Sequence, residues 1–448
     1  MPSVLAPYDT ATGYLSTRSG VKSIGLAAGL TGATASSRYV GGTSSGAPVT
    51  GTFAVGDWII DQTGKIFVAT VAGSPGTWVQ VGAGGGASIT QVTFAESTVA
   101  PNATVYVDSI TAAGASTNVD LALSSKGAGA LTAHVADGTA TGGNKRGASA
   151  VDWQTAARTV ATQVASGSQS TLSGGRGNIA SGTNSTVGGG LSNTASNTNS
   201  VVGGGEGNTA SSQSSAVAGG NANTAGAQYT FVGGGQSNSN TGSGYGVIAG
   251  GTNNNISGGG YSFVGSGLGN VVTQIYGTVA GGLYGNSELY GKFAYANGRF
   301  AATGDAQFGL TVCRATTTTN AAINLTNDGS GTFSATNHIV LPNNRVYRFT
   351  LDLVASSGTI GTASTSTYGS FGGVWTITGA IRRAATAATT AIIGIPTVLA
   401  TAVDSQLAAV TFTVLAETVT YGSLQIVATG LASTQIHWVA TIMTTEVG

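Results

Sequence analysis

The sequence predicts an all-β, elongated fibre with a central β-solenoid, and its composition, an internal repeat and late β-type runs lead to that prediction. Glycine supplies 73 of the 448 residues, about twice the usual share, whereas only 7% of residues are charged. Hydrophobic residues still make up 41% and recur at fixed positions, which argues against a disordered chain. Glycine does not recur at every third residue, so a collagen triple helix is excluded.

Eight consecutive units of 15 or 16 residues run from Ser170 to Gly291. Position 3 of each unit is aliphatic, position 6 is always glycine, and position 9 is asparagine except in the last unit, which has Gly285. The position-3 residues are Leu172, Val187, Val202, Val217, Val232, Ile248, Val264 and Val279. Such a fixed phase is typical of a solenoid in which each unit forms one coil and stacks on the next.

Each phased position has a physical role in such a coil. The aliphatic residue points inward from a short strand, and the glycine allows positive φ and close backbone approach at a corner. The asparagine is expected to adopt the left-handed region and to stack its amide on the next coil. Because so few aliphatic side chains make a thin core, oligomerisation is expected to supply further stability.

Four of the later units end in tyrosine, where the first two end in asparagine and the third in serine. These tyrosines are Tyr229, Tyr245, Tyr261 and Tyr276. At one residue per coil they are expected to stack as an aromatic ladder, at an interchain or lower-stem seam.

The flanks divide by composition. Residues 1–50 are small and polar and are predicted to be an extended attachment segment. Residues 51–86 are predicted to be a small β module of three strands that ends in the glycine-rich joint 82–86. Residues 87–169 are predicted to be a β connector with short strands. The shaft of eight repeats, 170–291, is followed by a neck at 292–310.

Residues 311–448 are predicted to form a C-terminal β-sandwich head, jelly-roll-like in its connections. The runs alternate: Trp375, Ile377 and Ile381 share one face of a strand, and the threonines between them share the other. Residues 384–403 have transmembrane length, but their Ala/Thr content and Pro396 favour two buried strands around a turn.

Charge and cysteine content exclude several classes of function. Sixteen basic residues balance sixteen acidic ones, so no net field favours nucleic acid or an anionic membrane. The first residues lack the basic and apolar regions of a secretory signal, and Asp9 comes early. Cys313 is the only cysteine, which excludes a disulfide within one chain and predicts a buried core residue.

The acidic residues do not form a recognisable catalytic pair. Asp57 and Asp61 lie about 13 Å apart if both are on one strand, and a surface ion pair with Lys65 is expected. Glu206 and Glu288 are expected to be isolated on different coils. A glycoside hydrolase needs two cooperating carboxylates, so the chain is predicted not to be an enzyme.

No cofactor, metal or receptor site is predicted from single residues. His134, His338 and His437 are far apart in sequence, which leaves open only a metal on a symmetry axis held by copies of one histidine. The glycine motifs lack phosphate-loop spacing and follow the solenoid phase. The tryptophans considered for sugar stacking are better explained by core packing. They are Trp58, Trp78, Trp375 and Trp438.

The repeats resemble the left-handed β-roll heads of trimeric autotransporter adhesins, in which related repeats also pair S-x-V with glycines. The segments KGAGALTAHVADGTATGGNKRGASAVDWQ at 126–154 and GKFAYANGRFAATGDAQFG at 291–309 make the chain more similar to bacteriophage tail-fibre proteins. That resemblance implies a homotrimeric virion fibre, assembled in the host cytoplasm without a signal peptide. Its N-terminal region would bind other virion proteins, and its head would bind a host-surface glycan or protein.

Three alternatives remain. A purely structural head, neck or baseplate appendage would share this architecture. A bacterial surface adhesin would need a signal peptide and a membrane-anchor barrel, and neither is recognised in the sequence. A polysaccharide-depolymerising tail spike would need the paired carboxylates that the sequence does not reveal.

Overall fold

The computed structural model describes residues 38–43, 45–81, 125–156, 158–359 and 367–448, with residues 22–23 and 123 and the strands at 92–97 and 107–112. The chain divides into two compact units, Met1–Leu123 and Ser124–Gly448. In these described parts every regular element is a β-strand, apart from the one-turn 3-10 helices Ala387–Thr389 and Ser405–Leu407. The all-β prediction is confirmed.

The first unit contains a five-stranded sheet and a hairpin. The sheet follows chain order and contains β1 (Lys22–Ser23), β2 (Arg38–Gly41), β3 (Trp58–Ile60), β4 (Ile66–Val71) and β5 (Thr77–Gln80). The hairpin pairs β6 (Val92–Ser97) with β7 (Val107–Ala112). Strands β3 to β5 are the three expected for the small module. The joint at 82–86 and most of the attachment segment lie outside the described residues.

The repeat forms the predicted solenoid, with two short strands in each unit. The second unit of the chain begins with β8 (Leu131–Thr132) and β9 (Val151–Asp152). The strands of the eight repeats are β10 (Thr171–Leu172), β11 (Ile179–Ala180), β12 (Thr186–Val187), β13 (Thr194–Ala195), β14 (Val201–Val202), β15 (Thr209–Ala210), β16 (Ala216–Val217), β17 (Thr224–Ala225), β18 (Phe231–Val232), β19 (Ser239–Asn240), β20 (Val247–Ile248), β21 (Asn255–Ile256), β22 (Phe263–Val264), β23 (Val271–Val272), β24 (Thr278–Leu283) and β25 (Asn286–Ser287). The even-numbered strands stack in one parallel sheet and the odd-numbered strands from β11 to β25 in a second.

The solenoid core is made by position 3 of each repeat, as predicted. All eight position-3 side chains are fully buried. They line up between coils because equivalent strands pair in register, as Val187 does with Val202. A second buried column comes from the odd-numbered strands and contains Ala180, Ala195, Ala210 and Ala225 in the first four repeats. The small second column explains how two sheets pack closely around one aliphatic side chain per coil.

The left-handed corners lie at the position-6 glycines, as expected, but not at the position-9 asparagines. The position-9 asparagines are absent from the residues with positive φ, so that part of their predicted role is wrong. Besides position 6, positive φ occurs at position 8 and at the last position of every unit. The position-8 residues are Gly177, Ser192, Gly207, Ala222, Ser237, Asn253, Gly269 and Tyr284, and the last residues are Asn184, Asn199, Ser214, Tyr229, Tyr245, Tyr261, Tyr276 and Gly291.

The parallel stack continues on both sides of the eight repeats. Before them, β9 pairs with β10 so that Asp152 lies beside Leu172. After them, β26 (Phe293–Asn297) pairs in parallel with β24. The chain then reverses, and β26 pairs antiparallel with the first strand of the head. Shaft and head are therefore joined through hydrogen-bonded strands.

The described residues of the head form nine strands. They are β27 (Ala306–Thr317), β28 (Ala322–Asn324), β29 (Ile339–Val340), β30 (Arg345–Thr359), β31 (Thr367–Arg383), β32 (Ala391–Val403), β33 (Thr411–Glu417), β34 (Ser423–Thr429) and β35 (Ile436–Val447). The order β27-β35-β30-β31-β32 extends the solenoid sheet, which reaches sixteen strands. Strand β34 pairs with β28, β29 and β33 in a smaller sheet.

One hydrophobic core uses side chains from both sheets of the head. Trp438 and Ile377 from the large sheet share this core with Leu424 and Ile426 from the small one. The predicted alternation on β31 is confirmed, since Trp375, Ile377 and Ile381 are all buried. The jelly-roll-like connection and the homotrimer stay predictions.

Residues 384–403 do not form two buried strands around a turn, so that prediction is wrong. They contain a 3-10 turn and the single strand β32, which lies at the edge of the large sheet. The register jumps from Ala380–Ile393 to Thr378–Thr397, and Ile395 between them is 90% exposed. Glycine and proline beside Ile395 produce this bulge, which interrupts the free edge.

Among the residues that the structure describes, no helix has both the length and the apolar character needed to cross a membrane.

Candidate functional site

The position-9 asparagines form a hydrogen-bonded ladder inside the shaft. Asn223 donates from Nδ2 to the carbonyl oxygens of Gly219 and Gly235, at 2.9 and 2.8 Å. Its Oδ1 accepts the backbone N–H of Asn238 at 3.0 Å. Gln154 begins the ladder by accepting the N–H of Asn178 at 2.7 Å. These buried amides hold adjacent coils together and do not face a ligand.

The tyrosines at the unit ends stack as predicted. The ring centroids of Tyr229, Tyr245, Tyr261 and Tyr276 follow each other at 4.9, 4.8 and 5.5 Å. Tyr290 closes the column with an edge contact at 5.3 Å. The four stacked tyrosines are 41–57% exposed. Because their ring faces cover one another, the ladder presents edges and hydroxyl groups outward and leaves little ring face for a sugar.

A second apolar strip follows position 2 of the repeats on the outer face of the large sheet. Val201, Phe231 and Phe263 are each 40% exposed. The strand register continues this row across β26 and β27 to Met443 in the head. Exposed apolar side chains on the same sheet of the head include Phe308, Val312, Val354, Val439 and Met443. Apolar area that runs from shaft to head is typical of a surface that another chain covers.

The candidate carboxylates of the first unit have structural partners. Asp61 is buried and accepts the Thr63 hydroxyl at 2.7 Å and the backbone N–H groups of Gly46 and Lys65 at 3.0 and 2.9 Å. These bonds, that from the Thr63 hydroxyl foremost, lower the pKa of Asp61 to about 2. The expected ion pair with the Lys65 ammonium is wrong, because Asp61 binds the Lys65 backbone. Asp57 is buried and accepts the N–H of Ala54 at 2.8 Å.

The expectation that Glu288 is isolated is also wrong. Lys292 bridges Glu288 and Glu446, with Nζ–O distances of 2.8 and 2.9 Å. Glu446 also accepts from Gln307 Nε2 at 2.6 Å and from the Thr444 hydroxyl at 2.7 Å. The chain thus contains two neighbouring carboxylates that no sequence pattern revealed. Burial raises the pKa of Glu288, against the effect of Lys292, and Glu446 raises it further.

This cluster contains the ionisable groups that acid–base catalysis uses, but these groups are not accessible to a substrate. Lys292 and Glu446 are almost completely buried at the junction of shaft and head. The lysine occupies the space between the carboxylates that a water or a glycosidic oxygen would need. We therefore describe it as a structural ion cluster.

The remaining candidates are dispersed. His338 is buried against Phe333, with 4.1 Å between ring centroids, and burial lowers its pKa to about 4. His437 is half-buried on β35, and its Nδ1 lies 3.0 Å from the Thr316 hydroxyl. His134 binds the carbonyl of Thr155 through Nε2 at 3.1 Å. Among the described residues, no three His, Cys, Asp or Glu side chains come together as metal ligands would.

Cysteine and tryptophan mostly serve the core. Cys313 is buried as predicted, and desolvation raises its pKa to about 12. Trp375 and Trp438 are core residues, whereas Trp78 is half-buried and donates to the Pro75 carbonyl at 2.9 Å. Trp153 is 42% exposed beside the first coils and was not singled out from the sequence.

No family model matches the chain, and the comparison with curated proteins finds no significant relative. Solved structures with similarity include the tailspike protein of Acinetobacter phage vB_ApiP_P1, at 10% identity and a TM-score of 0.18, covering 62% of this chain and 61% of that one. The chain therefore spans about three fifths of that structure's length. The tailspike of Acinetobacter baumannii phage AM24 is also 10% identical, with a TM-score of 0.17 and coverage of 62% and 53%.

A third similar structure is gp49 of Acinetobacter baumannii bacteriophage Fri1, described as a capsular polysaccharide depolymerase. It is 9% identical, has a TM-score of 0.16, and covers 78% of this chain and 75% of that one. The prediction that the chain is not an enzyme is contradicted by this neighbour and is withdrawn. TM-scores this low assign no catalytic residue. The structural neighbours are phage tailspikes, and the resemblance to autotransporter adhesins stays a prediction.

Proposed function

We propose that the chain is a bacteriophage virion fibre, a tail appendage whose C-terminal head contacts the host surface. The observation that carries this proposal is the single sixteen-stranded sheet, which joins a repetitive shaft to a separately packed head. A shaft of stacked coils that ends in a compact domain presents the surface of that domain at a distance from the attachment point. The N-terminal region would bind other virion proteins.

The fibre is proposed to be a homotrimer. The solenoid core has one aliphatic and one small side chain per coil in its first repeats, and thin cores of this kind need support from neighbours. The tyrosine ladder and the position-2 strip offer two apolar rows along the shaft that a second copy could cover. The number three rests on the resemblance to phage fibres.

Virion imaging tests the attachment role. We expect a label fused after Gly448 to appear at the free end of a tail appendage in electron micrographs of intact particles. Antibody fragments against the head should block adsorption to host cells, whereas fragments against the first unit should not. A label that lies against the capsid, with adsorption unaffected, would instead support a purely structural appendage.

Substitution of the tyrosine ladder tests the seam between copies. Tyr245 and Tyr261 are replaced by asparagine, the last residue of the first two repeats. Since asparagine tolerates the left-handed region better than tyrosine, the fold of each chain should be retained. We expect the trimer of the variant to dissociate at a higher protein concentration than the wild type in analytical ultracentrifugation. Asn199→Ser is the control, and a monomeric wild type would refute the trimer itself.

A further inference from the structure

The loop between β26 and β27, residues 298–305, is held in one conformation by a buried carboxylate. Asp305 accepts the backbone N–H groups of Phe300, Ala301 and Ala302 at 2.8, 2.6 and 2.6 Å. Burial alone would raise the pKa of Asp305, but these bonds hold it below its usual value. Gly304 donates its N–H to the Tyr284 carbonyl at 2.8 Å, which ties the loop to the last coil. The loop is therefore a fixed platform.

Arg299 is fixed on this loop by stacking. Its guanidinium carbon lies 3.7 Å from the centroid of the Tyr284 ring. Tyr284 in turn covers Gly269, where an added Cβ would lie 2.5 Å from the tyrosine ring. Arg299 has neither a carboxylate partner nor a hydrogen bond within the described part of the chain. A guanidinium whose face rests on an aromatic ring keeps its edge N–H groups available for an anion.

The next residue gives the platform an apolar surface. Phe300 is 74% exposed, although its backbone N–H is bound by Asp305. Ala301 and Ala302 beside it are exposed and small, so they leave room above the loop. Exposure of a phenylalanine ring to water on a fixed loop is unfavourable. A flexible loop or a packed ring would avoid that exposure.

We propose that Arg299 and Phe300 form a binding site for a carboxylate-bearing pyranose, as found in acidic polysaccharides. The guanidinium edge matches a carboxylate through two parallel hydrogen bonds, and the phenyl ring packs on the apolar face of the sugar. This inference rests on the proposed attachment function and names the class of host-surface ligand.

The charges of the chain favour an external anion over a second copy as the source of the carboxylate. Eleven of the sixteen acidic residues are held by hydrogen bonds or ion pairs of their own. These residues are Asp57, Asp61, Asp137, Asp152, Glu288, Asp305, Asp328, Asp352, Asp404, Glu417 and Glu446. The part of the chain that the structure describes thus has few free carboxylates to offer its own copies.

Titration calorimetry of the full chain tests the site with two probes, a hyaluronan octasaccharide and an α2,8-linked sialic acid oligomer. We expect the wild type to bind at least one probe and to lose affinity for its carboxyl-reduced form. Arg299→Ala and Phe300→Ala should each weaken binding by about tenfold or more. Arg176→Ala removes another exposed arginine from the shaft and should leave binding unchanged.

Three results would overturn the inference: a wild type that binds neither probe, equal binding of the reduced sugars, or altered oligomeric state in R299A and F300A. Adsorption of labelled protein to host cells separates this inference from the attachment function. If wild type and R299A adsorb equally, attachment stands and the site is wrong. If the wild type binds acidic sugars but no host cells, the site stands and attachment fails.

Discussion

The side chain of a position-9 asparagine forms hydrogen bonds with three backbone groups. Asn223 serves two carbonyl groups and the N–H of the next asparagine, all in a fully buried position. Only a side-chain amide has donors and an acceptor at that length, because aspartate lacks the donors and glutamine is one methylene longer. The same geometry explains why the series can end at Gly285, whose backbone N–H still donates to Asn270 Oδ1 at 2.8 Å.

Asn223→Ala should therefore be costly. The substitution leaves the buried N–H of Asn238 and the carbonyl of Gly219 without the partners seen here, and each unmet group costs about 1–3 kcal/mol. We expect a loss of about 2–3 kcal/mol in the free energy of unfolding, measured by urea titration followed by circular dichroism. Asn199→Ser, at an exposed asparagine two repeats earlier, is the control and should change stability by less than about 0.5 kcal/mol.

The residues with positive φ show where residue type does and does not predict the backbone conformation. The glycine at position 6 is invariant because an added Cβ in Gly220 would lie 2.2 Å from the Gly235 carbonyl oxygen. At position 8 the same backbone region is adopted by serine, alanine and tyrosine as well as glycine. At Gly207 an added Cβ would meet no atom closer than 3.9 Å, so stacking of the coils imposes the conformation there and tolerates a side chain. Position 6 could be predicted from the sequence, whereas position 8 could not.

Ala222→Gly should stabilise the shaft. Ala222 has a φ of 55°, and Gly207 occupies the same position in the preceding repeat. Removing Cβ relieves a left-handed penalty of about 1–2 kcal/mol, which exceeds the entropy cost of glycine of about 0.5–1 kcal/mol. We expect a gain of about 0.5 kcal/mol in thermal or urea unfolding. Ala225→Gly, in the buried column of the same repeat, should destabilise, and a loss in both variants would contradict this explanation.

At the scale of an element, the coil before the first repeat ends the aliphatic column of the core with an ion cluster. Asp152 stands beside Leu172 in the position of an aliphatic residue and is fully buried. It binds Arg146 at 2.8 Å and Arg158 at 3.3 Å. Three charges spread over 13 residues gave no recognisable pattern, so this cap was missed. It ends the aliphatic column one strand inside the edge of the sheet, where Thr132 of β8 pairs with Asp152.

Asp152→Leu tests whether the three charged residues of this cluster stabilise the fold only when all of them are present. The leucine suits the core column, but two buried guanidinium groups lose their carboxylate, which costs about 3–5 kcal/mol. The triple variant Arg146→Met, Asp152→Leu and Arg158→Met removes every charge and should recover most of that loss. Urea unfolding of the wild type and both variants provides the comparison. A triple variant as unstable as the single one would show that the ions are needed for more than charge balance.

At the scale of the molecule, periodic features were predictable and long-range pairs were not. Repeat phase and strand alternation are local in sequence, so the solenoid and the strands of the head could be predicted. The junction cluster depends on Lys292 and Glu446, which are 154 residues apart and meet only because β35 lies between β27 and β30. The edge position of β32 follows from the same strand order. No pattern within a short window of sequence contains that order.

The junction cluster predicts unequal effects on stability for substitution of its two glutamates. Two carboxylates share one ammonium, so the ionised cluster carries a net charge of −1 in a buried place. Because the pKa of Glu288 is raised on folding, its contribution is most favourable below about pH 4.5 and is lost as pH rises through the raised value. Glu288→Gln should therefore cost little at pH 8 and flatten the fall in stability between pH 5 and pH 8.

Glu446→Gln should behave differently because Glu446 also binds Gln307 and Thr444. Its loss leaves Lys292 with one partner and places an amide donor against the Gln307 amide, so we expect a cost of about 3 kcal/mol at pH 8. Urea unfolding of the wild type, E288Q and E446Q at pH 5 and pH 8 measures both effects. Equal losses in the two variants at pH 8 would mean that Glu288 is stabilised in its charged form. The junction of shaft and head would then depend on both carboxylates rather than on Glu446.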